Sequence, residues 1–401
     1  MLSLQVIRLW RTIAVGLFAT VATTMASSPT NRYSLDFSLS KHNFADTIAI
    51  EWEMGQVYVP VEMGGQQMRF LLDTGAGQSV VFDDVPIEGL KRAGHIISYD
   101  ANNRRDTVST VVLPPLRLGS LTLTGCHALL QRRMVKRERL DGILGFDLVN
   151  RGLNIKIDVA ANRLIVSDRK NFFDGEKGCK MRYKLNYHVP YIKVCPFGKY
   201  KESALFDTGS RRLYAINNQS FNKGAKKEGY LAERQVEGRA YGRHSIGHGG
   251  VEPRGEVVFL GLERLRLGTF SFDSVHTITT QGGSHIGAAL LRYGAVVFNP
   301  RRLQLCFQPY DDEQHVMVGN RQTDIAIIPE RGMPVVGLVW EQGTPYELGF
   351  REGDVIVRID DKEVRNFNQF VRWGFETGRE YRFTVRDRRG FQREVNWVRR
   401  P

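Results

Sequence analysis

The chain contains two matching heptapeptides, Phe70-Leu71-Leu72-Asp73-Thr74-Gly75-Ala76 and Ala204-Leu205-Phe206-Asp207-Thr208-Gly209-Ser210. In each one, three apolar residues predict a buried strand, and the Thr-Gly pair predicts a tight turn immediately after the Asp. Each copy therefore delivers one carboxylate from the end of a strand to a turn. A buried carboxylate is costly without a partner, and the second copy supplies one.

The segments downstream of the two heptapeptides also repeat, in the same order. Ile143-Leu144-Gly145 follows the first copy and His285-Ile286-Gly287 follows the second, each ahead of a predicted terminal hairpin. Residues 116–123 and 265–270 form another matching pair with Gly at the turn. One repeat of about 130 residues indicates a duplicated domain-sized unit rather than a solenoid. A pseudo-two-fold arrangement would set the two Asp turns face to face at a junction, where ligands commonly bind.

The composition favours a folded, mainly β protein. Of the 401 residues, 42% are hydrophobic and 25% are charged, which is ordinary for soluble domains. The 40 glycines stand beside β-branched and aromatic runs, a combination typical of strands joined by turns.

The N-terminus has the pattern of a secretory signal peptide. Arg8 and Arg11 precede an apolar run over residues 12–22, and small residues follow it. Cleavage after Ala26 would give an exported protein, periplasmic or extracellular. The alternative is a membrane anchor over residues 12–26 that holds the protein near a membrane, although spanning usually takes roughly 20 apolar residues.

The chain has four cysteines, Cys126, Cys179, Cys195 and Cys306. In an oxidising compartment they allow two disulfides in three connectivities. Cys179 and Cys195 flank a predicted hairpin and are the preferred pair, and four free thiols are the alternative. None of the cysteines has the spacing of a metal site.

The formal net charge of +13 falls mostly on the part of the chain that carries the two Asp motifs. Such a field attracts acidic substrates or anionic lipid, or is simply a solvated surface. No basic motif interleaved with aromatic residues is present, so that the sequence gives no support for a nucleic acid partner.

Paired carboxylates have a definite chemistry. Two of them a few ångströms apart share one proton, so that one is a base while the other is an acid. Held across a water molecule, one of Asp73 and Asp207 would act as general base and the other as general acid on a peptide bond, with no covalent intermediate and no cofactor. The residues therefore predict peptide hydrolysis, and Asp residues that merely cap turns are the alternative.

The neighbouring residues suit a rigid site. Gly75 and Gly209 let backbone N–H groups approach the carboxylates. Thr74 and Thr208 are expected to bond across the junction and to fix the two turns relative to each other.

The two copies differ at the third residue after Asp, which is Ala76 in the first and Ser210 in the second. We expect the Ser210 hydroxyl to bond to Asp207 and to favour its ionised form. Asp73 would then be the protonated member of the pair.

The two Asp-Thr-Gly motifs, each followed by an apolar-apolar-Gly segment, resemble the aspartic proteases, especially the bacterial retropepsin-like kind. The resemblance covers about residues 52–310. It implies a bilobal all-β fold in which each apolar-Gly segment is threaded behind its Asp turn, a catalytic pair at Asp73 and Asp207, and an extended protein or peptide substrate. His285 departs from the family pattern, because an apolar residue is usual there.

The resemblance also implies flaps that close over the substrate. Residues 96–104, with Tyr99, are the candidate in the first half. Residues 242–250, with Gly247 and Gly249, are the candidate in the second half, where the glycines suit a mobile tip.

The second flap candidate contains His244 and His248, which stand four residues apart, as metal ligands on a helix often do. The glycines oppose a helix and no clear carboxylate partner accompanies the pair, so that we expect no metal there.

Residues 345–360 are similar to the PDZ-domain segment in which a short helix ends in Gly and a strand begins with Gly-Asp-Val-Ile. The resemblance implies a peptide-binding loop at Arg331, Gly332 and Met333, where the terminal carboxylate of a peptide ligand would be held as the peptide adds to the sheet. A module that only packs on the protease is the alternative.

The predicted fold class is a mainly β, bilobal retropepsin-like protease with a small α+β PDZ-like domain. The predicted function is an aspartic endopeptidase whose PDZ-like domain binds peptide or regulates access, and the alternative is a non-catalytic peptide-binding scaffold. The expected segments are a signal peptide (1–26), an extended lead-in (27–51), an N-terminal half (52–170), a C-terminal half (171–310), a linker (311–320) and the PDZ-like domain (321–401).

Overall fold

The computed structural model describes residues 37–99, 105–133, 140–247, 250–311, 313–319 and 324–398. The predicted signal peptide and the alternative membrane anchor lie outside the described residues, as do His248 and Gly249. Strands account for 54% of the chain and helices for 10%, which confirms the predicted mainly β fold class. No helix among the described residues is long and apolar enough to cross a membrane.

The first half is built almost entirely from short strands. A short helix follows the threaded strand, as predicted, and a terminal hairpin closes the half. Its elements are β1 (Ser38–Leu39), β2 (Ala45–Ala49), β3 (Glu51–Glu53), β4 (Gln56–Met63), β5 (Gln66–Leu72), β6 (Val80–Phe82), β7 (Lys91–Tyr99), β8 (Arg105–Val112), β9 (Leu116–Leu118), β10 (Leu121–Thr124), β11 (His127–Gln131), β12 (Gly142–Leu144), α1 (Asp147–Asn150), β13 (Asn154–Asp158) and β14 (Arg163–Ser167).

The second half repeats this order with longer strands and an inserted pair of helices. Its elements are β15 (Cys179–Arg182), β16 (Lys184–Asn186), β17 (Val189–Phe197), β18 (Tyr200–Asp207), β19 (Tyr214–Asn217), α2 (Asn218–Glu228), α3 (Tyr230–Glu233), β20 (Val236–Gly242), β21 (Ile246–Gly247), β22 (Gly250–Val251), β23 (Gly255–Leu267), β24 (Phe270–Thr280), β25 (His285–Gly287), a 3-10 helix (Ala288–Arg292), β26 (Gly294–Asn299), a 3-10 helix (Pro300–Arg302), β27 (Gln304–Pro309) and β28 (His315–Met317).

Each half threads its apolar-Gly strand beside the strand that leads to the Asp. β12 runs parallel to β5 and pairs Leu144 with Leu72, and β25 runs parallel to β18 and pairs Ile286 with Phe206. The strand that leaves the Asp turn, β6 or β19, pairs on the other side of the threaded strand. His285 keeps this register in β25, so that its departure from the family pattern does not disturb the threading.

The terminal hairpins of the two halves join in one six-stranded sheet, ordered β15-β27-β26-β13-β14-β2. β13 and β26 pair antiparallel at its centre, with Ile155 opposite Phe298. Both side chains are buried in a hydrophobic cluster that draws members from both halves. The halves therefore share one core, and the relation between them is set by backbone pairing as well as by packing.

Two segments expected to be irregular contain strands. β2 lies in the predicted lead-in and pairs with β14, and β28 lies in the predicted linker and pairs with β24. Both are outer strands of their sheets, where pairing depends on backbone groups. Hydrophobic alternation, the signal used to predict strands, is weak in such positions.

The inserted helix α2 was also missed. Asn217 caps its first turn, because the side-chain oxygen accepts from the N–H groups of Gln219 and Ser220. Phe221 and Gly224 are the buried residues of the helix. An Asn at this position is typical of a helix start and could have indicated the helix. The segment is mostly polar, so that its sequence shows no clear apolar face.

The preferred disulfide is wrong. Cys179 begins β15 in the six-stranded sheet, whereas Cys195 lies in β17 of another sheet, and all four cysteines are free. Burial raises the pKa of Cys126 to about 12 and the pKa of Cys306 to about 11, so that both remain thiols near neutral pH.

The C-terminal module comprises residues 324–398 and has a hydrophobic core of its own. Its sheet is ordered β29-β30-β31-β33-β34, and Val336, Ile356, Phe383 and Val395 are among the core residues. Two short helices and a terminal hairpin accompany the sheet. The elements are β29 (Ile325–Glu330), β30 (Met333–Val339), α4 (Thr344–Glu347), β31 (Val355–Ile359), β32 (Lys362–Glu363), α5 (Phe367–Val371), β33 (Glu380–Arg386) and β34 (Gln392–Val398).

An apolar cluster docks this module on the second half. Trp340 stacks on Phe259 with ring centroids 5.3 Å apart and an interplanar angle of 22°. Val257 and Ile278 of the second half and Leu338 of the module complete the buried cluster. Burial of two large aromatic rings against aliphatic side chains makes this contact resemble a domain core.

Polar contacts surround the apolar cluster. Arg243 donates its backbone N–H to Gly337 O at 2.7 Å, and its guanidinium pairs with Glu330. Arg254 pairs with Glu352, with Nε and Oε1 3.1 Å apart. Each of these partly exposed ion pairs contributes little free energy. Together with the backbone hydrogen bond, they orient the module beside strands β20 and β23.

The stacked pair makes a testable contribution to stability. Replacing Trp340 by Ala should destabilise the docked module by about 3–5 kcal/mol, because a large buried ring is lost and a cavity remains. The free energy of unfolding in urea, followed by circular dichroism, measures the effect. Phe391→Ala is the matched control: its ring is 70% exposed, so a change within about 0.5 kcal/mol is expected. Equal effects of the two substitutions would contradict the docking role.

Candidate active site

Asp73 and Asp207 stand where the two threaded strand pairs end. The N–H of Asp73 donates to Leu144 O of β12 at 2.9 Å. Asp207, at the end of β18, lies opposite Gly287 of β25. The position of each carboxylate is therefore fixed by parallel pairing of buried strands rather than by a free loop.

Thr74 and Thr208 cross-link the two turns through four hydrogen bonds. The N–H of Thr74 donates to Thr208 Oγ1 at 3.0 Å, and the N–H of Thr208 donates to Thr74 Oγ1 at 3.1 Å. Each hydroxyl then donates at 2.7 Å to a carbonyl of the opposite half, Thr74 to Phe206 O and Thr208 to Leu72 O. The structure thus contains the cross-junction bonds that the sequence led us to expect.

The motif glycines let each turn pack against the carboxylate of the other half. A Cβ built on Gly75 would lie 2.7 Å from Asp207 Cγ, and one on Gly209 would lie 2.5 Å from Asp73 Cγ. Each glycine N–H also donates to the Asp of its own turn, at 2.8 Å for Asp73 and 2.9 Å for Asp207. A side chain at either glycine would force the pair apart.

The carboxyl groups of Asp73 and Asp207 interact directly, through a side-chain hydrogen bond and through their charges. Burial raises the pKa of Asp73 well above its ordinary value, and the negative charge of Asp207 raises it further. Burial also raises the pKa of Asp207, against the opposite effect of the bond from Asp73 and of two backbone amides. The pair therefore keeps one proton at pH values where an isolated Asp is ionised.

The Ser210 hydroxyl does not bond to Asp207, contrary to expectation. The backbone N–H of Ser210 donates to Asp207 Oδ1 at 3.2 Å, and the hydroxyl accepts from Arg212 N at 3.4 Å. Ala76 likewise supplies a backbone amide to Asp73. The difference between Ala76 and Ser210 therefore provides no side-chain contact that would make the two Asp residues unequal.

Asp147 and Ser79 form a buried polar pair behind the first Asp turn, and sequence reasoning missed both. The N–H and hydroxyl of Ser79 donate to the Asp147 carboxylate at 3.1 and 2.9 Å. Burial raises the pKa of Asp147 to about 6, against the opposite effect of the Ser79 bonds. The matching residues of the second half are Leu213 and Ala289, so that a comparison of the two repeats would have revealed the pair.

Gln56 is a second residue that sequence reasoning missed. It is 2% exposed at the start of β4, and its Nε2 donates to Gly209 O at 2.7 Å in the other half. Its Oε1 accepts from Arg211 Nε at 3.0 Å. Gln56 therefore bridges the two halves immediately beside the Asp pair.

The first flap candidate is the hairpin of β7 and β8. The two strands pair antiparallel up to Tyr99 opposite Arg105. Residues 100–104, which connect them, lie outside the described residues. The hairpin form suits a flap, and the role of Tyr99 stays a prediction.

The second flap candidate, residues 242–250, contains a small hairpin in which Gly247 pairs with Gly250. Gly249 lies outside the described residues. The base of the segment continues from β20, which contacts the C-terminal module at Gly337. The two flap candidates therefore differ in their surroundings, because the module supports the second one.

A buried charged cluster anchors this second segment to the Asp207 turn. Arg212 Nη2 contacts His244 Nδ1 at 3.4 Å, and His244 Nε2 contacts Thr279 O at 3.0 Å. Glu252 Oε1 accepts from the N–H groups of His244 and Ser245 at 2.7 and 2.9 Å. Burial lowers the pKa of His244 to about 3, so that the ring is neutral. Such anchoring fixes the base of the segment, and the flap role of Gly247 and Gly249 stays a prediction.

The candidate PDZ loop has a compact form. Arg331 and Gly332 are the two turn residues between β29 and β30, with φ angles of 51° and 79° that are typical of a type I′ hairpin. Met333 begins β30. Gly332 O accepts from Phe367 N at 2.7 Å, which ties the turn to helix α5. A role in binding a peptide carboxylate stays a prediction.

Comparison with known proteins supports the first half of this site. Residues 59–148 match the family model described as aspartyl protease. The matched segment begins in β4, ends in α1 and contains Asp73, its turn and the threaded strand β12. Asp207 lies outside it, and its relation to Asp73 is given by the pseudo-symmetry of the fold. No curated protein sequence matches the chain.

Two solved structures resemble the chain at low identity. An aspartic proteinase from Irpex lacteus is 14% identical, and the alignment covers 66% of this chain and 97% of that one with a TM-score of 0.44. Basic 7S globulin from soybean is 9% identical, and the alignment covers 66% of this chain and 94% of that one with a TM-score of 0.41. Likenesses this distant carry no argument about activity.

The threonine cross-link gives a direct test of the junction. In Thr208→Val the lost hydroxyl leaves Thr74 N and Leu72 O buried without their partner, so a destabilisation of about 2–5 kcal/mol is expected. Thr208→Ser keeps the hydroxyl and should cost only about 1 kcal/mol for the lost methyl group. Urea unfolding of the three proteins measures the difference, and similar losses for Val and Ser would show that the hydroxyl bonds contribute little.

Proposed function

We propose that the protein is an aspartic endopeptidase in which Asp73 and Asp207 are the catalytic pair. The supporting observation is the direct interaction of two half-buried carboxyl groups across a junction that Thr74 and Thr208 hold through reciprocal hydrogen bonds. A structural role alone would not explain two like charges brought together at such a cost in desolvation. The family match over residues 59–148 supports the same assignment.

The reaction uses the two carboxyl groups in different protonation states. Asp207, the ionised member, takes a proton from a water molecule that lies between the carboxyl groups and the peptide carbonyl. Asp73 donates its proton to the carbonyl oxygen as the water oxygen attacks the carbon. Return of a proton to the amide nitrogen then lets the C–N bond break, which leaves a new carboxyl and a new amino terminus.

The surroundings suit an extended protein or peptide substrate. The β7–β8 hairpin would cover it from the first half, and the anchored segment around His244 would form a fixed wall in the second. The C-terminal module, which supports that wall, would regulate access or bind a peptide ligand of its own. We also propose that the protein is exported, as residues 1–26 predict. Its substrates would then be proteins or peptides outside the cytoplasm.

Single isosteric substitutions test the catalytic pair. Asp73→Asn and Asp207→Asn should each lower kcat/KM for peptide cleavage roughly 10³-fold or more, because each removes one partner of a general acid–base pair. Asp83→Asn, at an exposed position, is the control and should cleave like the parent. Cleavage fragments from a diverse peptide library, identified by mass spectrometry, give the readout. A parent protein that binds peptides but cleaves none at any pH would instead be a peptide-binding scaffold.

The pH dependence should be bell-shaped, because only the singly protonated pair is active. Activity falls at low pH as Asp207 takes up a proton, and falls at high pH as Asp73 loses its own. Since burial raises both pKa values, the active window should extend above about 3.9, the ordinary value for Asp. A profile of kcat/KM against pH measures both limbs. A rate that rose steadily through neutral pH would exclude this pair as the acid and base.

A further inference from the structure

The residues that follow the two Asp turns and the two threaded segments differ in charge at two matching positions of the repeat. The fourth residue after the motif Asp is Arg211 in the second half and Gly77 in the first. The fifth residue after the Gly of the threaded segment is Arg292 in the second half and Asn150 in the first. Both arginines are exposed, and both differences place the positive charge on the second half.

Both arginines approach the same hairpin of the first half, the turn between β3 and β4. Arg211 Nε donates to Gln56 Oε1 at 3.0 Å. A Cβ built on Gly55 would lie 3.8 Å from Arg292 Nη2. Gly55 and Gln56 are consecutive, so their Cα atoms are about 3.8 Å apart. Two guanidinium groups from the second half therefore flank one hairpin tip of the first half.

Contacts connect this tip directly to the Asp pair. Gln56 is buried and its Nε2 donates to Gly209 O at 2.7 Å, while Gly209 packs against the Asp73 carboxylate. Arg211 is thus held by a buried amide that is itself held by the turn of Asp207. A guanidinium whose Nε is fixed has a defined orientation, and the exposed arginines Arg211 and Arg292 are of the residue type that suits recognition of a carboxylate.

The matching region of the other half has no arginine at the two corresponding positions. The corresponding hairpin, between β16 and β17, turns at Tyr187 and His188. Asn150 Nδ2 donates to His188 O at 2.6 Å, and a Cβ built on Gly77 would lie 2.8 Å from Tyr187 O. An amide and a glycine therefore occupy the positions that hold Arg292 and Arg211 at the charged end.

We propose that Arg211 and Arg292 select substrates with an Asp or Glu side chain on one side of the scissile bond. The inference rests on the proposed endopeptidase function and adds the substrate class to it. An extended substrate that crosses the Asp pair would pass both hairpin tips, and only one of them carries guanidinium groups. A carboxylate there gains charge-assisted hydrogen bonds, whereas a Lys or Arg at the same position is repelled. The opposite side of the scissile bond has no such preference.

Matched peptides provide the test. A peptide library cleaved by the parent identifies the scissile bond, and pairs of peptides with Glu or Lys at each flanking position are then compared by kcat/KM. We expect one position, on one side only, at which Glu exceeds Lys by roughly 10-fold or more. Arg292→Glu, which leaves the bond between Arg211 and Gln56 untouched, should abolish or reverse that ratio. Arg211→Glu should do the same, and Arg211→Lys should keep a reduced preference.

The control is Arg234→Glu, which makes the same charge change at an exposed arginine that pairs with Glu263. It should leave the Glu/Lys ratio at the parent value, and rising salt should lower the ratio of the parent. Cleavage by the parent with no acidic preference, or a preference that survives both charge reversals, would overturn this inference and leave the proposed function intact. Absence of cleavage in every peptide would overturn both.

Discussion

The reciprocal bonds between Thr74 and Thr208 are the constraint on which the rest of the site depends. Two like-charged groups repel each other unless the scaffold holds them together, and here each turn is fastened to the backbone of the opposite half. The hydroxyls are buried, so that water does not compete for these bonds. The proximity of Asp73 and Asp207 and their raised pKa values follow from this fastening.

The internal repeat explains how much of this could be read from the sequence. The Asp turns, the threaded strands and the terminal hairpins follow from local apolar patterns, and the duplication then implies that the two turns face each other. The cross-junction threonines were predictable for the same reason. Gln56 was not predictable, because it is an isolated polar residue whose partners are distant in sequence. The Ser79–Asp147 pair could be found only by comparing the two repeats position by position, because no local pattern marks it.

The failures have physical causes of the same kind. The preferred disulfide assumed that residues close in sequence share a sheet, whereas β15 and β17 belong to different sheets. The strand β28 in the predicted linker is held by backbone pairing, which composition does not reveal. The contact between His244 and Arg212, which anchors the base of the second flap candidate, was missed because it joins residues 32 positions apart.

Departures from symmetry give the two halves different properties. The first half has a buried Ser79–Asp147 pair behind its turn, where the second half has Leu213 and Ala289. The second half has the Arg212–His244–Glu252 cluster, where the first half has Gln78 at the position that matches Arg212. Because the side chains of the two halves differ, a peptide that lies across the Asp pair meets a different environment on each side of the pair.

The stacking of Trp340 on Phe259 has a consequence for the solubility of a chain that lacks the C-terminal module. Strand β23 presents Val257 and Phe259 to the C-terminal module, and a protein cut between residues 310 and 324 would expose them to water. An exposed apolar strand of this kind promotes self-association. The module is therefore a permanent part of the architecture rather than a tethered accessory, and a shortened chain would need polar replacements on β23 to remain monomeric.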